Sequence, residues 1–222
     1  MKKWLEKVDW IYVIVPLALL GTFWVIAAFA GQWPWQSNPY NSYALQTDSW
    51  LKGRLDLGQN YEWLELAIYQ GKYFVSFPPF PSYVLIPFVI LFGTNTPDHF
   101  IALAVTIIGC IYAVKLYREA SAEKQHSLFW VLMLYFASGY LFVGMNGYVW
   151  FIAQSMSFTL SLMALYYTLR NKGGLALTFW ACAVGCRPML ALYGILLVYL
   201  LVKGYKKENP EGTVWQLVKE KW

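Results

Sequence analysis

Charge is scarce in this sequence: Asp, Glu, Lys and Arg make up 13% of its 222 residues, against roughly 25% in a soluble domain. That shortage weighs against a water-soluble fold. Cysteine is scarce too, and Cys110, Cys182 and Cys186 all fall inside apolar runs. Neither a disulfide framework nor a thiolate metal site follows from them. The two histidines, His99 and His126, stand far apart, and His-x-x-x-His, Cys-x-x-Cys, Gly-x-Ser-x-Gly and phosphate-cradling glycine loops do not occur. Hydrolase and nucleotide-binding templates are therefore missing.

What is abundant is apolar and aromatic, 59% and 19% of the chain. The net charge of +5 does not point to nucleic acid, because no basic stripe is interleaved with exposed aromatics. The lysines instead cluster at the ends of apolar segments, as in the cytoplasmic loops of membrane proteins.

Residues 10–30 form an uncharged run long enough for the roughly 20 residues that cross a bilayer. Lys2, Lys3 and Lys7 precede it, which assigns residues 1–9 to the cytoplasm. A cleaved signal peptide is the alternative, although the run exceeds a usual signal core. Residues 31–97 read as one large extracytoplasmic loop, rich in Trp and Tyr and bearing Asp48, Asp56, Glu62 and Glu65. Within it, 48–57 and 61–69 carry mixed patterns at roughly helical spacing, as in helices lying in the headgroup plane.

The run 81–93 decides the topology. At about 1.5 Å per residue it covers some 20 Å of a core about 30 Å thick, so it is expected not to span. With that choice only Lys52, Arg54, Lys72 and Arg187 of the 17 Lys and Arg lie outside, in keeping with the positive-inside rule. Residues 98–203 then form a transmembrane bundle and 204–222 a cytoplasmic tail. Thr96-Pro97-Asp98 reads as a helix start with Thr96 as cap, and Ser127 as the cap of the next helix, which runs outward to about Gly144. In the apolar stretch 175–202, Lys172 and Lys203 both favour the cytoplasm. Two short helices with Arg187 at their outer vertex satisfy both and are favoured; one long tilted, kinked helix with a structural arginine is the alternative. The expected fold is an all-α, polytopic membrane protein of about five or six transmembrane helices plus juxtamembrane helices in the first outer loop.

An acid at the outer interface can take a proton from a hydroxyl or hold a divalent cation. An arginine at membrane depth needs an anionic partner, for which a lipid phosphate is apt. Solvated helix faces and structural arginines are the plainer explanations of each.

The stretch Trp63-Leu64-Glu65-Leu66-Ala67-Ile68-Tyr69-Gln70-Gly71-Lys72-Tyr73-Phe74-Val75-Ser76-Phe77-Pro78-Pro79-Phe80-Pro81-Ser82 resembles a pattern in bacterial membrane glycosyltransferases of the GT-C superfamily, relatives of the protein O-mannosyltransferases among them. Gly53-Arg54-Leu55-Asp56-Leu57 and Gly185-Cys186-Arg187-Pro188 extend the likeness, which corresponds to the N-terminal module of such enzymes. The resemblance implies transfer of a sugar from a polyprenyl-phosphate-linked donor to an extracytoplasmic acceptor. It implies Asp48 or Glu65 as catalytic acid, and Arg187, Lys72, Glu62 and Tyr73 as substrate-binding residues. A divalent cation is the one cofactor it admits, and a longer partner chain would complete the fold. The competing expectation is a non-catalytic membrane protein acting as an assembly partner; a small transporter would need more polar residues at depth than Arg187 alone.

Overall fold

The computed structural model describes residues 9–31, 33–213, 215, 216 and 219. The expected lysine-bearing N-terminus before Asp9 lies outside these residues. The chain folds as helices α1 (Ile11–Ala30), α2 (Ser42–Leu51), α3 (Phe80–Phe92), α4 (Asp98–Ala120), α5 (Ser127–Phe136), α6 (Tyr140–Met145), α7 (Val149–Leu169), α8 (Gly173–Cys186) and α9 (Tyr193–Glu208). One hairpin, β1 (Leu66–Tyr69) with β2 (Lys72–Val75), interrupts the series. Ile11–Ala30, Asp98–Ala120, Val149–Leu169 and the stretch Pro188–Glu208 are each long and apolar enough to cross a membrane. The short apolar α8 and the broken α5–α6 pair add two shorter candidates. The protein is an all-α, multi-pass membrane protein.

Helices α4 and α7 are the central pair and run parallel. Thr159 Oγ1 donates to the Val105 carbonyl at 3.1 Å, the Tyr112 and Tyr167 hydroxyls meet at 3.0 Å, and Arg170 pairs with Glu119 at 3.5 Å. Their first residues define one end of the bundle, here the loop end, because residues 31–97 gather there. The opposite, far end is marked by Arg118, which bonds to Asp9 at the foot of α1 and to Ser127 Oγ at the start of α5.

At the loop end one polar cluster ties three distant segments. Asn38 Nδ2 donates to Asp98 Oδ2 at 2.8 Å and to the Gly147 carbonyl at 3.1 Å, and Thr96 Oγ1 donates to Asp98 Oδ1 at 2.8 Å. The Gly147 N–H donates to His99 Nδ1 at 3.2 Å. That nitrogen also lies 3.4 Å from the Met145 carbonyl, but it cannot accept and donate at once. A buried backbone N–H must find an acceptor, so the ring carries its proton on Nε2. A side chain at 147 has no room: a Cβ would stand 2.4 Å from the Asp98 carbonyl carbon and 2.5 Å from the His99 nitrogen.

Helix α3 has both ends at the loop end. Phe80 abuts Gly185, and Asn41 Nδ2 donates to the Thr94 carbonyl just past its C-terminus at 2.8 Å. Both of its ends therefore meet segments at one end of the bundle, and its 13 residues make it one of the shorter apolar helices. Helices α8 and α9 fold back on each other: Trp180 Nε1 donates to the Leu190 carbonyl at 2.8 Å, and Asn171 Nδ2 donates to Glu208 Oε1 at 2.7 Å. Arg187, extended at φ −143°, ψ 103°, is the vertex between them.

Four local expectations need correction. Residues 61–69 are not helical, because Gln70 and Gly71 both take positive φ (49° and 71°). That geometry closes a tight two-residue hairpin, and the β-branched and aromatic residues around it pair instead. The loop helix is α2, Ser42–Leu51, displaced toward the N-terminus from the expected 48–57. Thr96 does not cap α4, since its hydroxyl goes to Asp98, and Ser127 Oγ accepts from Arg118 at 3.2 Å rather than capping α5. Finally, the outward helix breaks at 137–139, where Ser138 Oγ accepts from the Tyr140 N–H at 3.1 Å and donates to the Leu134 carbonyl at 2.6 Å.

Asn38→Ala removes the donor to Asp98 Oδ2 and is expected to cost about 1–3 kcal/mol. Gly147→Ala must push backbone aside and is expected to cost more. Thermal unfolding of the detergent-purified protein checks both; wild-type melting of both variants would show that the cluster is not a structural tie.

Candidate functional site

Two polar regions occupy the loop end. The first centres on Arg187, whose Nη2 donates to the Trp150 carbonyl at 2.6 Å. Its Nε is buried and has no partner, and the Tyr43 hydroxyl is buried and equally unpartnered. Arg187 takes part in none of the ion pairs among the described residues. A guanidinium withdrawn from water without a counter-charge is expensive, and a charge-assisted hydrogen bond to an anion repays that cost. Burial holds the Tyr43 phenol well above its ordinary range, an effect the Arg187 charge partly offsets. Tyr43 is therefore a neutral O–H donor at physiological pH.

Aromatic rings wall this niche. Phe77 stands 6.4 Å from Tyr43 and 6.5 Å from Trp150, and Tyr40 lies 5.5 Å from Trp150. The niche also brings together two segments distant in sequence: Gly185 has room for no side chain because Phe80 presses on it, a Cβ there meeting Phe80 Cβ at 2.9 Å. Thus 77–81 and 185–188 pack against each other.

The second region is a cavity of about 230 Å³ lined by Asp48, Ser49, Lys52, Arg54, Gln59 and Tyr61, among others. Asp48 accepts from Lys52 at 2.7 Å, one helical turn on. Tyr43 and Asp48 lie five residues apart on α2, about 140° around its axis, so the helix separates the Arg187 niche from the Asp48 cavity.

The other sequence-derived candidates sit on the outer surface of the loop. Lys72 pairs with Asp56 at 3.6 Å. Tyr73 is half-buried, and its carbonyl accepts from the Leu57 N–H at 2.9 Å. Glu62 and Glu65 are exposed, and Glu65 is held through its backbone, the carbonyl accepting from Ser76 Oγ at 2.8 Å. Nearby, Trp63 Nε1 donates to the Pro39 carbonyl at 2.9 Å, next to Tyr40 and hence to the Trp150 side of the loop. Among the described residues no group of three or more His, Cys, Asp or Glu side chains is placed to hold a metal ion.

Sequence reasoning missed Tyr43 and Trp150. Starting the loop helix at Ser42 instead of Asp48 would have put Tyr43 on its inner face, but Trp150 contributes only a carbonyl, which no side-chain pattern reveals.

Because the Tyr43 hydroxyl has no partner, Tyr43→Phe removes an unsatisfied buried group and is expected to leave stability within about 0.5 kcal/mol of wild type or raise it. A loss above about 1 kcal/mol in a thermal melt would mean that the hydroxyl is bonded in the folded protein.

Comparison of the chain with protein-family models, with curated proteins and with solved structures found no match.

Proposed function

We propose that the chain is a membrane glycosyltransferase module of GT-C type that takes its sugar from a polyprenyl-phosphate-linked donor. The observation that carries this reading is the half-buried Arg187 guanidinium at the loop end, its Nε buried without a partner, in no ion pair among the described residues and beside the neutral Tyr43 donor. A phosphate on a lipid tail supplies the missing charge and arrives from the bilayer, where the niche lies. The resemblance in segments 63–82 and 185–188 adds to this, since Phe80 of the first packs on Gly185 of the second, two residues before that arginine.

In this reading Glu65 or Asp48 takes the proton of the acceptor hydroxyl. The acceptor oxygen then bonds to the anomeric carbon while the carbon–oxygen bond to phosphate breaks. The phosphate leaves with that electron pair, its charge stabilised by Arg187 and, in the loop, by Lys72. Glu65 suits the base better, because Asp48 is held by Lys52 and stands across α2 from Arg187, whereas the Glu65 segment hangs from Pro39 on the niche side. Glu62 and Tyr73 would line the acceptor side. No step is routed through a divalent cation.

The loop end is extracytoplasmic in this reading and the N-terminus cytoplasmic. Lys115, Arg118 and Lys203 in the last turns of α4 and α9, and Lys124, Arg170 and Lys172 beside the ends of α5, α7 and α8, gather at the far end, in keeping with the positive-inside rule. A second reading, a non-catalytic assembly partner for a longer chain, draws on the pairing of Asp48 with Lys52 and of Asp56 with Lys72, which commits two of the loop acids to structure.

Polyprenyl phosphate binding to the protein in nanodiscs tests the first reading. Arg187→Gln is expected to weaken it about 10- to 100-fold, the equivalent of one charge-assisted hydrogen bond, and wild-type binding by that variant would end the proposal. Glu65→Gln is expected to abolish sugar transfer while leaving binding intact. If Arg187 matters for binding and neither Glu65→Gln nor Asp48→Asn alters transfer, the assembly-partner reading takes its place. Single cysteines replacing Lys72 and Lys206 test the orientation: an impermeant maleimide on intact cells should label the first and spare the second.

A further inference from the structure

The far half of the bundle holds a groove of about 770 Å³ that the proposed transfer does not use. Its floor is the α4–α7 pair, from Ala113 to Ala120 on one helix and Leu162 to Leu169 on the other, and its walls are α5 at Trp130 and α9 at Leu200. Nearly all of its lining is apolar. The exposed faces of Trp130 and Leu196 show that it opens sideways into the bilayer.

Its depth identifies what fits. Eight residues of α4 and eight of α7, from Ala113 to Ala120 and Leu162 to Leu169, make a groove about 10 Å long along the membrane normal, a third of the roughly 30 Å core and well within one leaflet. Toward the loop end it stops where the Tyr135 ring, fully buried, fills the gap beside Phe158 at 6.5 Å. A transmembrane helix of a partner or of a second copy would need a groove running the full thickness. A lipid of the far leaflet needs only half of it.

The mouth of the groove selects a headgroup. On α9, Leu196, Leu200, Lys203 and Lys207 follow one another at spacings of four, three and four, so one helix face passes from apolar wall to cation. Lys203 and Lys207 are exposed, and neither joins an ion pair among the described residues. Lys124, in the turn before α5, is likewise exposed and outside the ion pairs. The acid on the floor itself, Glu119, is matched by Arg170 at 3.5 Å. Lysines outnumber the acids Glu123 and Glu208 beside them, so the mouth carries net positive charge at headgroup level, with Lys203 over the Tyr199 ring at 5.9 Å and Tyr117 and Trp130 placed as interfacial aromatics.

We infer that this groove is a seat for one anionic phospholipid of the far leaflet, its acyl chains between α5 and α9 and its phosphate at Lys203 and Lys207. The seat is independent of the Arg187 niche, which lies at the opposite end of the bundle.

The test uses the full chain purified in detergent and supplied with phosphatidylglycerol or phosphatidylcholine. Phosphatidylglycerol is expected to raise the melting temperature by at least about 5 °C more than phosphatidylcholine at a hundredfold excess over its dissociation constant. The Lys203→Gln/Lys207→Gln variant should lose that difference while melting normally in phosphatidylcholine. Ala120→Trp, which fills the groove from an exposed position, should lose the response to phosphatidylglycerol with both lysines intact. Equal effects of the two lipids would overturn the proposal, as would a phosphatidylglycerol response that survives both variants. A change of oligomeric state with Ala120→Trp would also overturn it, because a second copy would then be the occupant.

Discussion

The buried Asp98 carboxylate is the constraint on which the loop end depends. It sits at the start of α4, is 2% exposed and joins no ion pair among the described residues; its oxygens are satisfied by Asn38 and Thr96. Asn38 in turn holds the Gly147 carbonyl, so the first loop, the head of α4 and the turn before α7 are fixed together. The cost of burying the carboxylate is tolerable only while those donors stay in place. The central helix pair therefore keeps one relative position at this end, and the loop that folds over it inherits that position.

Below the cluster the same logic recurs with hydroxyls. Helix α6 is short, so its last carbonyls have no intrahelical partner. Thr106 of α4 donates to the Gly144 carbonyl at 2.9 Å and Ser155 of α7 to the Val143 carbonyl at 3.2 Å. Inside a bilayer there is no water to substitute for such bonds. The break in the α5–α6 pair is thus tolerated because its neighbours carry Thr and Ser at the right depth, and Ser138 closes the break itself.

These facts mark what the sequence could disclose. The short α3 and the vertex at Arg187 were legible, because bilayer thickness and the need of Lys172 and Lys203 to share one side leave few arrangements. The hairpin was not, although Gln70-Gly71 is a turn signal: the acids and aromatics around it also satisfy a helical pattern, and pairing across the strands decided the contest. The tie between Asn38 and Asp98 spans sixty residues and leaves no local trace. Thr96 shows the same limit in miniature, since Thr-Pro-Asp reads as a cap until the carboxylate that outcompetes the backbone for the hydroxyl is known to be buried.

The division made by α2 bears on how chemistry at this end would have to run. Its inner face carries Tyr43 into the Arg187 niche, and its outer face carries Asp48 into a separate polar cavity. A base must come within hydrogen-bond reach of the hydroxyl it deprotonates, and in the proposed transfer that hydroxyl would have to meet a carbon bonded to a phosphate oxygen held at Arg187. An acid reached only around a helix cannot meet that requirement while α2 keeps its place, and Thr47 holds α2 to the head of α3, donating to the Ser82 carbonyl at 2.8 Å. The chain from Arg187 through Trp150 and Tyr40 to Pro39 and Trp63 leads instead to the strand entry at Glu65. Trp63 and Glu65 are exposed there, while the buried Leu64 between them, the Trp63 and Glu65 hydrogen bonds and the pairing of Leu66 with Val75 hold the segment to the loop. In the proposed transfer, Glu65 is therefore an acid on the niche side of α2, whereas Asp48 is on the other.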